Sequence, residues 1–271
     1  MPNYEGKKVD ASMTPDQIRA EVDRLAKEAA SESWCPEGGW QFPFDFGNGL
    51  VAPTYTPTQA ELHPWRRDIM LRQLDALYAG RYGSLSVLDL GAGEAAMSIA
   101  LWERGVRDIT CVEVRPNNIA KAQFVANHFG ADLKIVESTV EDYLQTDNRK
   151  YDLVLFMGLL YHLLDPFAVM RRIGDLTGEV LVIETVLARP MPVTFANAPA
   201  YSPTPAGFFI REDTVQSHTA GTSDLELWPT PEALFTLLRF ARFRQFNKAD
   251  YGNKPPAYFA TDERILGLAI K

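Results

Sequence analysis

Two glycines and a carboxylate give this sequence its clearest chemical signal. The run from Val87 to Ala96 reads VLDLGAGEAA, which predicts a strand, a turn containing Gly91 and Gly93, and the start of a helix. Glycine lets the backbone approach a ligand without a Cβ clash, and the first turn of a helix offers free N–H groups. Glu113 ends the next predicted strand, twenty residues after Gly93, where a carboxylate can accept hydrogen bonds from both ribose hydroxyls. The pattern predicts a nucleoside-binding site.

Three interpretations of this turn compete. The spacing of Gly91, Gly93 and Ala96 matches the dinucleotide fingerprint, which favours NAD. Asp89, two residues before the first glycine, favours S-adenosylmethionine (SAM), because that cofactor carries a cationic sulfonium and an ammonium group. A pyrophosphate gains nothing from a nearby acid, and the third interpretation is a turn that only packs a helix. We predict SAM as the cofactor and S-adenosylhomocysteine as its product.

Two later loops supply further candidate cofactor residues. The loop after the third predicted strand contains Thr139, Val140 and Glu141, which offer the adenine an apolar wall and polar groups for its edge. Met157, at the end of the fourth predicted strand, is expected to pack against the cofactor. Both loops lie at the carboxyl edge of a parallel sheet, where α/β proteins bind ligands. Acids such as Glu141 can also serve only the start of a helix.

Tyr161 and His162, which follow the fourth predicted strand, are the candidate catalytic residues. A hydroxyl acceptor needs a base, and imidazole titrates near neutral pH, so His162 is the predicted base. Tyr161 is expected to orient the acceptor or approach the methyl group. Each also has a structural interpretation: His162 holds the loop, and Tyr161 packs in the core. His218 is a further histidine that could face the site, whereas His128 is expected on a helix surface.

Composition and charge narrow the class of protein. The 271 residues are 46% hydrophobic and 23% charged, as in a globular protein with a substantial core. With 27 basic and 35 acidic side chains, the net charge of −8 argues against a nucleic-acid partner. We expect a small-molecule acceptor, and no metal site, because no close His, Asp or Glu spacing marks one. Two cysteines and the lack of an apolar leader or membrane span predict a cytoplasmic protein. The sequence does not decide between a monomer and a homo-oligomer.

Short apolar runs alternate with helical ones from Ser84 onward, and this alternation predicts an α/β fold. The expected strands are Ser86–Leu90, Ile109–Glu113, Leu133–Val136, Tyr151–Phe156, Glu179–Val186, Phe240–Phe246 and Arg264–Ile270. Helices are expected at Glu94–Arg104, Asn117–Phe129, Pro166–Ile173 and Pro231–Arg239. We predict a Rossmann-like, seven-stranded, mostly parallel sheet with helices on both faces.

The chain is predicted to have two parts, an N-terminal cap over residues 1–83 and a cofactor-binding core over residues 84–271. The cap begins with a helix at Pro15, where Thr14 and Gln17 form a capping box. It continues through an aromatic segment, residues 34–64, to a second helix at Trp65–Tyr78. An insert at about residues 189–228, without predicted strands, is expected to cover the site together with the aromatic segment.

From about Leu62 onward, these features resemble class I SAM-dependent methyltransferases. Within that class the sequence is most similar to the tRNA wobble-uridine carboxymethyltransferase family. The similarity rests on Trp65-Arg66-Arg67-Asp68, the glycine turn, the run Met157–His162 and Ile183-Glu184-Thr185. The resemblance implies that the following residues surround the cofactor: Trp65, Gly91, Glu113, Val140, Glu141, Met157 and Tyr161.

Two departures from that family change the expected chemistry. The family uses lysines to meet the extra carboxylate of a carboxylated SAM, but this sequence has no lysine between Lys27 and Lys121, although Tyr161 and Arg264 remain. The family also acts on RNA, whereas this chain is acidic. We therefore expect methyl transfer from plain SAM to a hydroxyl oxygen of a sugar or another natural product. The alternatives are RNA modification of the wobble-uridine type and a protein that binds SAM without catalysis.

Overall fold

The described residues form the predicted α/β fold. The computed structural model describes residues 13–28, 38–189, 206–212 and 225–271. The helices are α1 (Pro15–Glu28), α2 (Pro57–Tyr78), α3 (Ala96–Glu103), α4 (Pro116–Phe129), α5 (Val140–Thr146), α6 (Pro166–Leu176), α7 (Pro231–Phe240) and α8 (Ala257–Ala260). The strands are β1 (Ser86–Leu90), β2 (Asp108–Glu113), β3 (Lys134–Glu137), β4 (Tyr151–Met157), β5 (Thr177–Val186), β6 (Phe208–Glu212), β7 (Leu225–Pro229), β8 (Gln245–Lys248) and β9 (Arg264–Ile270).

Seven strands form one sheet in the order β3-β2-β1-β4-β5-β9-β8, as expected for a Rossmann-like fold. β1, β2 and β3 pair in parallel, as do β4 and β5, whereas β8 and β9 add antiparallel pairs. The chain divides into two compact units, residues 1–143 and 144–271, while the boundary expected near residue 83 stays a prediction. In the described ranges, no helix is both long and apolar enough to cross a bilayer.

Local signals place several elements where the sequence predicts them. β1 and β9 have the predicted bounds. At the start of α1, the Gln17 main-chain N–H donates to Thr14 Oγ1 at 3.3 Å, and the Thr14 N–H donates to Gln17 Oε1 at 2.8 Å. This reciprocal pair is the predicted capping box.

Three predictions about individual elements are wrong. α2 begins at Pro57 rather than Trp65, because the Thr56 side chain caps it by accepting from the Gln59 N–H, and Pro64 is tolerated inside the helix. The expected strand Phe240–Phe246 is instead the end of α7, a reversal at Arg242 with φ +64°, and the start of β8. The insert at 189–228 contains strands after all: β6 and β7 pair as an antiparallel ribbon.

The aromatic segment contributes its rings to the core of the first unit. Trp40, Phe42, Phe44 and Phe46 are all buried, and they pack in one cluster with residues of α1, α3 and α4. These four rings are therefore core residues of the first unit, and the expectation that the aromatic segment covers the site stays a prediction. His128 lies in the same region, only 4% exposed and with its ring 4.9 Å from that of Phe46, so its expected surface position is wrong.

A buried lysine joins the aromatic segment to α4. The Lys121 side chain is fully buried, and its Nζ donates to the Gly39 carbonyl oxygen at 2.5 Å and to Tyr55 Oη at 2.9 Å. Its third partner is Glu94 Oε1 at 3.1 Å. The ammonium also lies 5.1 Å from the ring centre of Trp40. These contacts satisfy all three donors of the ammonium group, as a buried cation requires.

Glu94 is the acidic partner of Lys121 in this buried ion pair. Its carboxylate also accepts hydrogen bonds from the main-chain N–H groups of Gln41 and Phe42 at 2.9–3.0 Å. Burial raises the pKa of Glu94, while Lys121 and the two N–H groups act against that shift. The ion pair therefore fixes the backbone of the aromatic segment immediately beside the glycine turn.

We expect the variant Lys121→Met to lower the free energy of unfolding by roughly 3–5 kcal/mol, because it leaves the Glu94 carboxylate buried without its cation. Urea denaturation at neutral pH measures this loss. The double variant Glu94→Gln/Lys121→Met should regain much of it, since neither charge then remains. A single variant as stable as the natural sequence would show that the pair does not hold the segment.

Candidate functional site

The glycine turn is shaped by backbone conformations that favour glycine. Gly91 and Gly93 have φ values of +68° and +56°, in the left-handed region. The Gly93 N–H donates to Glu113 Oε2 at 2.8 Å. The other carboxylate oxygen of Glu113 accepts from the N–H groups of Val114 and Arg115 at 2.9 Å. Glu113 therefore holds the turn and the end of β2 together, and its carboxylate points into the turn.

Asp89 is a second buried carboxylate beside this turn. It is 5% exposed, and its Oδ2 accepts a hydrogen bond from Ser98 Oγ at 2.7 Å. Burial raises the pKa of Asp89 to about 6; the Ser98 hydroxyl opposes the shift, and the charge of Glu113 adds to it. Asp89 lies in β1, so this negative charge sits at the carboxyl edge of the sheet, where the sequence predicts the cationic part of the ligand.

Gln41 is a neighbour of the turn that the sequence did not indicate. A methyl group added at Gly93 would lie only 3.3 Å from Gln41 Oε1, so the amide lies directly over the turn. Glu94 fixes the Gln41 backbone there through the N–H contacts described above. Gly93 therefore favours glycine for its φ value, and a side chain there would also have to displace the Gln41 amide slightly.

The loop after β3 lies next to Glu113. The Ser138 N–H donates to the Glu113 carbonyl oxygen at 3.0 Å, which joins the loop to the end of β2. Thr139 caps α5, because its Oγ1 accepts from the Asp142 N–H at 3.1 Å. Val140 is the first residue of α5 and is buried, while Glu141 is half-buried beside it. The structure thus brings the predicted adenine-binding residues close to the predicted ribose-binding carboxylate. Trp65 lies in α2 of the same unit and is half-buried.

In the second unit, Tyr161 belongs to a buried polar cluster. Its hydroxyl accepts from Arg264 NH2 at 3.1 Å. Arg264 Nε in turn donates to Glu184 Oε1 at 2.6 Å, and Glu184 is fully buried. Glu184 pairs in register with Met157 at the end of β4. The charge of Arg264 is therefore compensated within the fold, and Tyr161 is oriented by it.

His162 lies beside a carboxylate that comes from the β6–β7 ribbon. It closes a 3₁₀ turn after β4, is 8% exposed, and has its ring centre 4.1 Å from that of Tyr161. His162 Nδ1 lies 3.6 Å from Glu226 Oε1. The other oxygen, Glu226 Oε2, accepts from Trp228 Nε1 at 2.9 Å and lies 3.8 Å from Arg211 NH1. A histidine whose Nδ1 faces an oriented carboxylate is the usual arrangement of a general base.

Comparison with known proteins decides the family. The sequence matches a family described as a methyltransferase domain over residues 14–227. The chain belongs to this methyltransferase family. The Vibrio vulnificus (strain YJ016) ubiquinone biosynthesis O-methyltransferase is 28% identical over 111 residues, which cover 41% of this chain and 45% of that protein. A tRNA U34 carboxymethyltransferase from Methylococcus capsulatus is 30% identical over 130 residues, 44% of this chain and 39% of that protein. The chain therefore spans less than half the length of these relatives.

Solved structures show the same fold. The N-terminal domain of EvdMO1 with S-adenosylhomocysteine bound has a TM-score of 0.67 and 22% identity, and the match covers 93% of this chain and 96% of that one. Magnesium protoporphyrin IX methyltransferase from Synechocystis PCC 6803, also with S-adenosylhomocysteine bound, has a TM-score of 0.53 and 13% identity over 83% of this chain and 90% of that one. Together with the family match, these findings confirm the predicted class I methyltransferase fold and SAM as its cofactor.

The chemistry of the turn in this methyltransferase fits SAM better than a dinucleotide. Two buried carboxylates, Asp89 and Glu113, put negative charge beside the turn. Glu113 already accepts the Gly93 N–H, a donor that a dinucleotide pyrophosphate would need at the helix start. An ammonium or sulfonium group would instead relieve the repulsion between the two acids.

Sequence reasoning missed Gln41, Glu94 and Glu226. For Glu226 a signal did exist: the run Leu225-Glu226-Leu227-Trp228 alternates, which places Glu226 and Trp228 on one face of a strand. His218 lies outside the described residues. Within the described ranges, no three His, Cys, Asp or Glu side chains are placed to hold a metal ion.

We expect Asp89→Asn to stabilise the free protein and weaken its binding of SAM. A pKa raised to about 6 means that the folded state holds the Asp89 proton more tightly than the unfolded state. Stability from this group is present at low pH and is lost as the pH rises from about 4 to about 6, by about 3 kcal/mol. Asp89→Asn has no carboxylate to ionise and therefore keeps this stability at neutral pH. Its melting temperature should exceed that of the natural protein at pH 7 and equal it near pH 4.

Calorimetric titration with SAM provides the second measurement on Asp89→Asn, and we expect its affinity to fall at least tenfold. Asp132→Asn, at an exposed position of the same unit, is the matched control and should change neither quantity. If Asp89→Asn binds SAM as tightly as the natural protein, Asp89 does not face the cationic part of the cofactor.

Proposed function

We propose that this protein transfers a methyl group from SAM to a hydroxyl oxygen of a small molecule. The observation that supports this most directly is the pair formed by His162 and Glu226, with 3.6 Å between Nδ1 and Oε1. An alcohol is a poor nucleophile until its proton is moving, so transfer to oxygen needs a base of this kind. An N-methyltransferase has less need of one, because a neutral amine already carries a lone pair.

The contacts of Glu226 suit it to orient this base. Trp228 Nε1 and Arg211 hold one carboxylate oxygen, which turns the other towards His162 Nδ1. A proton on Nδ1 then faces the carboxylate and leaves Nε2 as the atom that takes the proton of the acceptor. The carboxylate also stabilises the imidazolium that forms. The 3.6 Å separation is longer than a hydrogen bond, and such contacts shorten when substrate binds.

SAM supplies an activated methyl carbon, so the work of the protein is to hold and align the reactants. Asp89 would meet its cationic part and Glu113 the ribose hydroxyls. Thr139, Val140 and Glu141 would line the adenine, with Met157 and Trp65 as further candidate contacts. Tyr161, fixed by Arg264, would orient the acceptor next to His162.

The structure supports plain SAM rather than a carboxylated form as the donor. A carboxylated donor needs an available cation, and the family that uses one supplies lysines. Here Arg264 is already paired with Glu184, and Lys121 is fully buried against Glu94. Neither positive charge is left for an extra carboxylate, so we propose methyl transfer rather than carboxymethyl transfer.

A sugar or another polar natural product suits the acceptor side best. The Tyr161 ring centre lies 4.1 Å from that of His162, and the Arg211 guanidinium lies 5.6 Å from the ring centre of Trp228. Aromatic rings and polar groups thus lie together, a combination that suits a sugar. One structure of the EvdMO1 N-terminal domain, with a TM-score of 0.64 and 20% identity, was determined in the presence of S-adenosylhomocysteine and D-fucose. The net charge of −8 argues against an RNA acceptor, although one relative modifies tRNA.

Two measurements test this function. Mass spectrometry of ligand that copurifies with the protein should find SAM or S-adenosylhomocysteine and no carboxylated form. Incubation with methyl-labelled SAM and a panel of glycosides, phenols and transfer RNA should label a hydroxyl of a small molecule. Label on tRNA alone, or SAM binding without label on any acceptor, would overturn the proposal.

For the base, we expect His162→Ala to lower kcat by roughly 10²- to 10⁴-fold with little change in SAM affinity, because only the proton transfer is lost. Glu226→Gln should lower kcat by about tenfold or more. It should also move the acidic limb of the pH–rate profile to lower pH, since an amide stabilises the imidazolium less. Glu212→Gln, at an exposed position of the same ribbon, is the matched control. Full turnover by His162→Ala at neutral pH would exclude the base role.

A further inference from the structure

A cavity of about 440 Å³ lies in the second unit at the edge of the sheet opposite the predicted catalytic residues. It is lined by the residues that precede β4 and β8, by the start of β5 and by Lys271, which follows β9. Tyr161 and His162 come after the other end of β4, which is seven residues or roughly 20 Å away. The cavity is therefore separate from the methyl-transfer site.

Four of the lining side chains are cationic and one is anionic. The cations are Lys150, Arg242, Arg244 and Lys271, and the acid is Asp175. A carboxylate on the main chain of Lys271 would still leave an excess of two positive charges. This concentration of positive charge is unexpected in a chain whose net charge is −8, where solvent-facing bases have many acids available as partners.

The cations are held in place mainly by contacts that do not cancel their charge. Lys150 Nζ donates to the main-chain oxygen of Asp175, and Lys271 Nζ donates to that of Ala241 at 2.9 Å. Arg244 makes no ion pair with the part of the chain that the structure describes. Arg242 lies 3.9 Å from the Asp175 carboxylate, which Arg172 approaches from another side at 3.7 Å. One acid is thus shared by two arginines.

Close packing of the backbone brings these charges together. A methyl group added at Gly174 of α6 would lie 2.1 Å from the Ala241 carbonyl oxygen, so α6 and the turn after α7 are in direct contact. That turn places Arg242 in a left-handed conformation, with φ +64°. The same packing places Asp175, the neighbour of Gly174, opposite Arg242.

The cations also act on one another at Lys271. Burial lowers the pKa of Lys271, the positive charges of Lys150 and Arg242 lower it further, and the Asp175 carboxylate opposes the shift. A bound dianion would remove this repulsion. Arginine side chains match the geometry of phosphate oxygens, and lysine adds a compact charge.

We propose that this cavity binds a phosphate group carried by a small molecule. Lys150, Arg242, Arg244 and Lys271 would surround the phosphate oxygens. The volume is at the lower end of the range for small-molecule sites, and exceeds what inorganic phosphate alone would fill. The site would bind a phosphorylated metabolite at a distance from the methyl-transfer residues, and the proposal does not depend on the identity of the methyl acceptor.

Calorimetric titration of the full chain with glycerol 3-phosphate and with inorganic phosphate, at constant ionic strength in chloride buffer, tests the site. We expect one molecule of the ester to bind per chain, more tightly than inorganic phosphate. Equal affinity for the two would still support a phosphate site but show that the ester group is not recognised. No binding heat with either compound would overturn the proposal.

Two variants locate the binding. Arg244→Gln and Arg242→Gly each remove one cation, and glycine suits the backbone at 242, so that variant should fold normally. Each should weaken binding of the ester at least tenfold. Arg19→Gln, at an exposed position of α1, changes the net charge equally and should bind like the natural protein. Equal weakening by all three variants would show that binding depends on net charge alone, and would refute a site in this cavity.

Discussion

The interaction on which the proposed cofactor site depends is the set of hydrogen bonds made by the Glu113 carboxylate. This group accepts N–H donors from Gly93, Val114 and Arg115, so the glycine turn and the chain after β2 meet at one side chain. Main-chain N–H donors hold the Glu113 carboxylate in one orientation in the free protein. The side chain therefore loses no further rotamer freedom when a ligand binds. A ribose would therefore meet an acceptor that is already in position.

Charge compensation distinguishes Glu94, an acid that holds the fold of the first unit, from Asp89, an acid proposed to meet the cofactor. Glu94 is buried with Lys121 as its partner, and it fixes the aromatic segment and Gln41 above the turn. Asp89 is equally buried, but its hydrogen bond comes from the neutral Ser98 hydroxyl. Its charge is unfavourable in the free protein and would become favourable beside the cationic part of SAM. The buried Asp89 carboxylate thus lowers the stability of the free protein at a position proposed to bind the cofactor.

The second unit follows the same rule. Glu184 is neutralised by Arg264, and the two hold Tyr161. Glu226 receives a neutral indole donor and a more distant arginine on one oxygen, which leaves the other for His162. At the opposite edge of the sheet the balance is reversed, because four cations and a single acid, Asp175, line the cavity. At Asp89 and in this cavity, the charges that lack a full counter-charge among the described residues are the ones proposed to meet a ligand.

The sequence by itself determined the elements whose signals are local. The capping box of α1, the strands Ser86–Leu90 and Arg264–Ile270, the glycine turn and the positions of Glu113 and His162 could all be predicted, because period and spacing act over a few residues. Tertiary structure alone decided that Glu226, which is 64 positions away in the sequence, lies beside His162. It also decided that Lys121 is the cation that pairs with Glu94. It also moved the start of α2 and buried His128. Such pairings depend on which side chains are desolvated together, and spacing along the chain does not carry that information.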